Sequence, residues 1–206
     1  MSQKSIRFFS GLALVPARSD GMSRGRRRSA ESPTRAKRGE LPEEEKQMAK
    51  VYILCEKICS GKSTYSQQLR KDKKAVILSV DDITLTLLGQ NGGDTLDVYV
   101  EKLEQYFFQK SVEIVETGIN VVLDWGFWTK AERDFAKEFY SSRGIEYEFH
   151  YISISDEEWY RRLEKRNKDV MGKKSDAYYV DEGLAQKFKS IFEIPGKEEI
   201  DVWVEQ

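Results

Sequence analysis

The stretch VYILCEKICSGKST, residues 51–64, decides the fold. Five apolar residues, typical of a short buried strand, lead directly into EKICSGKS, and GKSTYSQQLRK (61–71) continues with the pattern of a helix. The loop between them matches the phosphate-binding pattern G-x-x-x-x-G-K-[ST] at every fixed position except the first, where Glu56 replaces Gly. The sequence therefore predicts a nucleotide phosphate loop with one altered position.

Strand patterns and helix patterns alternate through the rest of the chain. The predicted strands are 51–55, 75–80, 119–125, 145–154 and 200–205, and the predicted helices are 61–71, 81–89, 94–118, 129–144, 155–167 and 180–193. Such alternation predicts an α/β fold, in which right-handed crossovers build a parallel sheet that helices cover on both faces. Ligands of these sheets bind at the carboxyl ends of the strands, where Glu56, Asp81 and Asp124 fall.

The charge of the chain is divided unevenly. The net charge of the 206 residues is -1, but residues 1–38 carry about +8 and the remainder about -9. We expect residues 1–48 to be a disordered basic tail, with three interpretations open: a solvated tail, a targeting segment, or an extension upstream of a translation start at Met48. Residues 49–206 are the predicted ordered domain, and its acidic character leaves any nucleic-acid binding to the tail or to a local cleft.

The sequence gives little support to several other classes of protein. It has no run of about 18 apolar residues that would span a membrane, and a cytoplasmic location is expected. Cys55 and Cys59 suit small buried side chains in a reducing compartment, with oxidation of Cys59 as an alternative that would block the loop. The single histidine, His150, lies in a strand pattern and is expected to be structural.

The residue types near the loop suit phosphoryl transfer. Lys62 would neutralise the β- and γ-phosphates, and the Ser63 hydroxyl would bind Mg²⁺. Asp124 is expected to hold Mg²⁺ through water, and Asp81 to act as base toward an acceptor hydroxyl. The alternative is that either aspartate caps the next helix, although Asp82 is the more expected cap after Asp81.

Two further groups could contact a substrate. Arg162 and Arg166 lie four residues apart on one predicted helix, so they share a face that could close over a phosphoryl group; a solvated, charged face is the alternative. The aromatic residues of WGFW (125–128) either pack in the core or form a platform for a flat acceptor.

These motifs carry a family resemblance. VYILC, SGKSTYS, LSVDDI, NVVLDWGFWTK, RRLEKRN, YYVDEGLAQKF and FEIP together resemble the small bacterial P-loop proteins labelled AAA family ATPase or ATP-binding protein, over roughly residues 49–204. Those proteins are similar in architecture to the P-loop kinase group that includes zeta-toxin-like, polynucleotide-kinase-like and chloramphenicol-phosphotransferase-like proteins.

The resemblance implies a fold and a set of site residues. It implies a P-loop NTPase fold with a five-stranded parallel sheet in the order 2-3-1-4-5. It also implies phosphate binding by Ser60, Gly61, Lys62, Ser63 and Thr64, an acceptor site at Asp81, a metal role for Asp124, lid roles for Arg162 and Arg166, and a position of Pro195 near the adenine. The cofactors implied are ATP and Mg²⁺.

Glu56 departs from the family pattern. A side chain at this position hinders the backbone angles and the close approach that Gly permits, and its charge repels polyphosphate. Two alternatives remain open: Glu56 impairs ATP binding, or it points outward and costs little.

The sequence thus predicts an ATP-dependent phosphotransferase that acts on the hydroxyl of an unidentified acceptor. A nucleotide-binding regulatory module or an impaired kinase is the second interpretation. An interaction protein that acts through its basic tail is the third.

Overall fold

A computed structural model describes residues 48–90, 93–175 and 177–206, and the described residues belong to one compact unit. The predicted tail lies outside the described residues except for Met48. The strands are β1 (Lys50–Glu56), β2 (Ala75–Ser79), β3 (Asn120–Asp124), β4 (Glu146–Ser153) and β5 (Val202–Glu205). The helices are α1 (Lys62–Asp72), α2 (Val80–Leu88), α3 (Leu96–Glu116), α4 (Lys130–Ser141), α5 (Asp156–Met171) and α6 (Glu182–Ile191).

The strands form one five-stranded sheet in the order β2-β3-β1-β4-β5, and every pair is parallel. This confirms the predicted fold class and strand order. The register pairs Ser79 with Asp124 at the ends of β2 and β3, and Glu56 with Ile152 between β1 and β4. Because the strands are parallel, their carboxyl ends share one edge of the sheet, and the candidate site lies along that edge.

The hydrophobic core covers both faces of the sheet, and β1 contributes to both. Val51, Ile53 and Cys55 join the larger cluster, which α3 and α4 cover, whereas Tyr52 and Leu54 join a smaller cluster that includes residues of α1. The alternation follows from the pleat, which turns successive side chains to opposite faces. A central strand buried on both faces explains why VYILC is apolar throughout.

Helix caps explain where most helices begin. Thr129 caps α4 in a reciprocal capping box with Glu132. The expectation that Asp82 caps α2 is wrong, because Ser79 is the cap and its hydroxyl accepts from the Asp82 amide. The predicted end of α5 at residue 167 is also too early, since the helix continues to Met171.

Among the described residues, no helix has the length and apolar character needed to cross a membrane.

Candidate active site at the carboxyl edge of the sheet

The predicted phosphate loop connects the end of β1 to the start of α1. It turns through two residues with left-handed backbone angles, Cys59 with φ 65° and Gly61 with φ 110°. A Cβ atom at Gly61 would lie 2.5 Å from Gln206 Oε1 and 3.2 Å from Arg162 Nη1. The backbone angle therefore requires Gly at position 61, whereas the two crowded atoms are the ends of flexible side chains that could shift.

The start of α1 is arranged to receive an anion. No side chain caps the helix at Gly61, and its first turn holds no acidic residue. Ser63 and Thr64 are exposed in this turn, beside Lys62. The positive end of the helix dipole and its free amide groups favour a negatively charged ligand at this position.

Glu56 points into the loop and not outward. β1 continues through Glu56, which follows Tyr52 and Leu54 on the face of the sheet that α1 covers. The side chain is only 2% exposed. One carboxylate oxygen accepts a hydrogen bond from the Ser60 hydroxyl, and the other lies 3.9 Å from Lys62 Nζ. Burial raises the pKa of Glu56 to about 7, although Lys62 and Ser60 act in the opposite direction.

Lys62 is held by a second carboxylate. Its Nζ lies 2.5 Å from Asp124 Oδ1, and Ser66 Oγ donates to the other Asp124 oxygen at 2.9 Å. Burial opposes protonation of Lys62, but the charges of Glu56, Asp124 and Asp81 outweigh it and raise the pKa of the amine. Lys62 is therefore a cation between acids, the form needed to bind phosphate.

Asp81 follows β2 and lies exposed in the first turn of α2. Its charge acts on both Lys62 and Glu56, which places its carboxylate within electrostatic reach of the loop. Asp81 follows the end of β2 and Asp124 ends the neighbouring strand β3, beside the Lys62 amine, so the three residues lie along one edge of the sheet, as the positions of the two aspartates at strand ends predict. The carboxylate of Asp81 is open to solvent and could accept a proton from an arriving hydroxyl.

Helix α5 holds the outer side of the loop through three side chains at one face, Trp159, Arg162 and Arg166. The contacts are Trp159 Nε1 to the Ile58 carbonyl at 2.6 Å, Arg162 Nη1 to the Ser60 carbonyl at 2.8 Å, and Arg166 Nη1 to Cys59 Sγ at 3.6 Å. The arginines share a face, as their spacing predicts, and that face meets the loop.

Both arginines are fixed by a second partner. Glu158 accepts from Arg162 Nε at 2.6 Å, and the Tyr178 carbonyl accepts from Arg166 Nε at 3.0 Å. Each guanidinium still carries further N–H groups, so it could bind a phosphoryl oxygen while keeping its present contact. Sequence reasoning missed Trp159 and Glu158, although both stand on the helical face that Arg162 and Arg166 define.

The aromatic residues of the WGFW segment pack in two different places. Trp125 and Phe127 are buried in the larger cluster, where both pack near Phe108, so the packing interpretation applies to them. Trp128 packs on Phe188 of α6 at a ring separation of 4.8 Å. The Gly126 carbonyl accepts from the Glu56 amide at 3.2 Å and ties this segment to the phosphate loop.

Arg133 of α4 is a buried cation that sequence reasoning missed. Its Nη1 donates to the carbonyls of Phe127, Trp128 and Glu193, and its Nε donates to Glu199 at 2.8 Å. The side chain therefore joins the segment after β3 to the FEIP segment (192–195). The only sequence signal is a basic residue on the otherwise apolar face of α4.

Pro195 is buried within the FEIP segment, which follows α6. The Glu193 amide donates to the Trp128 carbonyl at 2.9 Å, so this segment lies against the loop between β3 and α4. The role of Pro195 beside the adenine stays a prediction.

The oxygen donors suit magnesium carried by a nucleotide. Among the described residues, no group of three or more His, Cys, Asp or Glu side chains could hold a metal ion. Mg²⁺ does not need such a group, because it binds through one or two protein oxygens together with water and substrate phosphates. The Ser63 hydroxyl and the Asp124 carboxylate are donors of that kind.

Comparisons with known proteins identify the family of this chain. A family model described as an AAA domain (AAA_33) matches residues 51–195, from the start of β1 to the FEIP segment. A search of curated protein sequences finds no significant match.

Solved structures share the fold at low sequence identity. APS kinase from Mycobacterium tuberculosis, in complex with AMPPNP and APS, is 15% identical, with a TM-score of 0.54 over 77% of this chain and 88% of that one. A sugar kinase from Janibacter sp. HTCC2649 is 12% identical, with a TM-score of 0.55 over 76% and 85%. A gluconokinase from Sinorhizobium meliloti 1021 is 15% identical, with a TM-score of 0.51 over 77% and 83%. The chain therefore belongs to the AAA domain family (AAA_33) and has the fold of the P-loop kinases.

Proposed function

We propose that this protein is an ATP-dependent phosphotransferase that moves the γ-phosphoryl group of ATP to the hydroxyl of an unidentified acceptor. The observation that carries the proposal is the convergence of Lys62, Asp124 and Asp81 at the uncapped start of α1. The kinase folds of the structural neighbours support it.

Each group has a role in the proposed reaction. Lys62 leaves Asp124 and neutralises the β- and γ-phosphates, which Ser60 to Thr64 bind through the loop and the helix end. Asp81 accepts the proton of the acceptor hydroxyl, and Arg162 and Arg166 stabilise the charge of the transferred group. Ser63 and Asp124 would hold Mg²⁺, which supplies further charge neutralisation between the phosphates.

The experiment is transfer of labelled phosphate from ATP to a panel of sugars, nucleosides and RNA ends by the full chain. We expect Lys62→Ala to abolish transfer and Asp81→Asn to lower turnover about 10²- to 10⁴-fold, the usual contribution of a general base. Asp82→Asn is the matched control, because it removes the neighbouring exposed acid of the same turn, and it should keep full turnover. Equal turnover of both variants would contradict the role of Asp81.

The burial of Glu56 inside the loop favours a second candidate, a nucleotide-binding regulatory module or an impaired kinase. That candidate predicts nucleotide binding without transfer, or binding only after Glu56→Gly. Calorimetric titration of MgATP into the natural chain and the Glu56→Gly variant separates the two candidates.

A further inference from the structure

The phosphate loop of this chain already contains an anion of its own. We propose that Glu56 keeps the loop closed around Lys62, and that the polyphosphate of a nucleotide enters together with one proton taken up by Glu56. This inference rests on the proposed function, because it concerns how ATP reaches the same site.

The geometry makes Glu56 a competitor of phosphate. Its carboxylate accepts from the Ser60 hydroxyl and lies 3.9 Å from Lys62 Nζ, and it is shielded from solvent. Asp124 holds the same amine at 2.5 Å. The Ser60 hydroxyl and the Lys62 amine are therefore engaged by carboxylates, and a phosphate that binds them must replace those contacts.

The negative charge around the loop favours protonation of Glu56 when a nucleotide brings further negative charge. The groups that act on Glu56 are Lys62 from α1, Asp124 from β3 and Asp81 from α2. Within the loop, burial raises the pKa of the Cys59 thiol, and the negative charge of Glu56 adds to this effect. On the outer side, Arg162 of α5 contacts the carbonyl of Ser60.

The charges of three carboxylates thus act on one largely buried amine before any phosphate is present. Burial raises the pKa of Glu56 to about 7, so the carboxylate can take a proton from neutral solution at little cost. A protonated carboxyl no longer repels phosphate and can donate a hydrogen bond to it. Binding of polyphosphate should raise the pKa of Glu56 further, and the proton comes from solvent.

The experiment titrates MgATP into the full chain and its Glu56→Gln and Glu56→Gly variants by calorimetry. Titrations at pH 7, 8 and 9 use two buffers of different ionisation enthalpy, which gives the number of protons taken up. If only the protonated form binds, affinity of the natural chain should fall roughly fiftyfold between pH 7 and pH 9 relative to Glu56→Gln. At pH 8 it should take up about one proton per nucleotide, and Glu56→Gln about none.

Each other outcome overturns the inference in a recognisable way. Equal pH dependence and equal proton uptake in the natural chain and Glu56→Gln would overturn it and leave the proposed function standing. Binding by Glu56→Gly but not by Glu56→Gln would mean that the bulk of the side chain closes the loop, not its charge. If both variants keep a cooperative thermal unfolding transition and neither binds MgATP at any pH, the proposed function fails as well.

Discussion

Arg133 allows the most direct test of how the loop after β3 is held. The side chain is 3% exposed, and its guanidinium donates to Glu199 and to the carbonyls of Phe127, Trp128 and Glu193. We consider the substitution Arg133→Met, which keeps a long side chain for packing and removes every N–H donor.

The expected cost follows from what the substitution leaves behind. Removing one partner of a buried ion pair typically costs ~3–5 kcal/mol, because the remaining charge has lost its partner. The Glu199 side chain is 15% exposed and also accepts from the Gly196 amide at 2.8 Å, so it keeps part of its stabilisation. We therefore expect the free energy of unfolding to fall by about 3 kcal/mol for Arg133→Met.

Urea denaturation of the full chain measures this change. The matched control is Arg161→Met on α5, because Arg161 pairs with Glu158 on an exposed surface, where solvent screens such pairs and they contribute little to stability. The double variant Arg133→Met/Glu199→Gln should lose less than the sum of its two single variants, since no unpaired charge remains. A loss below about 1 kcal/mol for Arg133→Met would refute the assignment of Arg133 as the link between the two segments.

Two further predictions concern α3 and its contact with α4. Burial, together with the charges of Glu132 and Glu101, raises the pKa of Glu104 from 4.5 to about 8. This group should therefore lower the free energy of unfolding as pH rises from about 4.5 to 8. Since one pKa unit corresponds to about 1.4 kcal/mol, Glu104→Gln should stabilise the fold by up to about 5 kcal/mol at pH 9 but not at pH 4, as urea denaturation at both values would measure. Tyr140→Phe should cost about 1 kcal/mol in the same assay, because it breaks the 2.7 Å hydrogen bond between the buried Tyr140 and Ser111 hydroxyls; an unchanged midpoint would contradict it.

The fold could be predicted because local and global signals agree. The apolar runs that became β1 and β3 are too short for core helices, and each is bounded by a turn or a helix pattern. The alternation of strands and helices then leaves few topologies. The strand order itself came from the family resemblance, since periodicity along the chain carries no information about which strands are neighbours.

The start of α2 shows why an element boundary is harder to predict. In SVDDI, Ser79, Asp81 and Asp82 are all residue types that cap helices. The choice depends on where β2 stops pairing, and its last pair is Ser79 with Asp124. The helix therefore begins at Val80, and the tertiary pairing decides between caps of similar intrinsic strength.

Arg133 and Trp159 show which parts of the site need the three-dimensional structure. Arg133 bonds to groups 5 to 66 residues away in the chain, and Trp159 bonds to Ile58 across 101 residues. No local pattern specifies such partners, because helical spacing determines only the face on which a side chain lies. The sequence could place Arg162 and Arg166 on one face, but not the loop that this face meets.

The orientation of Glu56 could have been predicted from the sequence, had the end of β1 been placed one residue later. This one strand boundary changes the functional conclusion. With β1 ending at Cys55, Glu56 belongs to a loop and its direction stays open. With β1 continuing one residue further, where Glu56 pairs with Ile152, the pleat turns its side chain to the same face as Leu54, toward α1 and Lys62. An acid at this position cannot then avoid the phosphate-binding groups, so the proposed nucleotide binding depends on the charge state of Glu56 rather than on its direction.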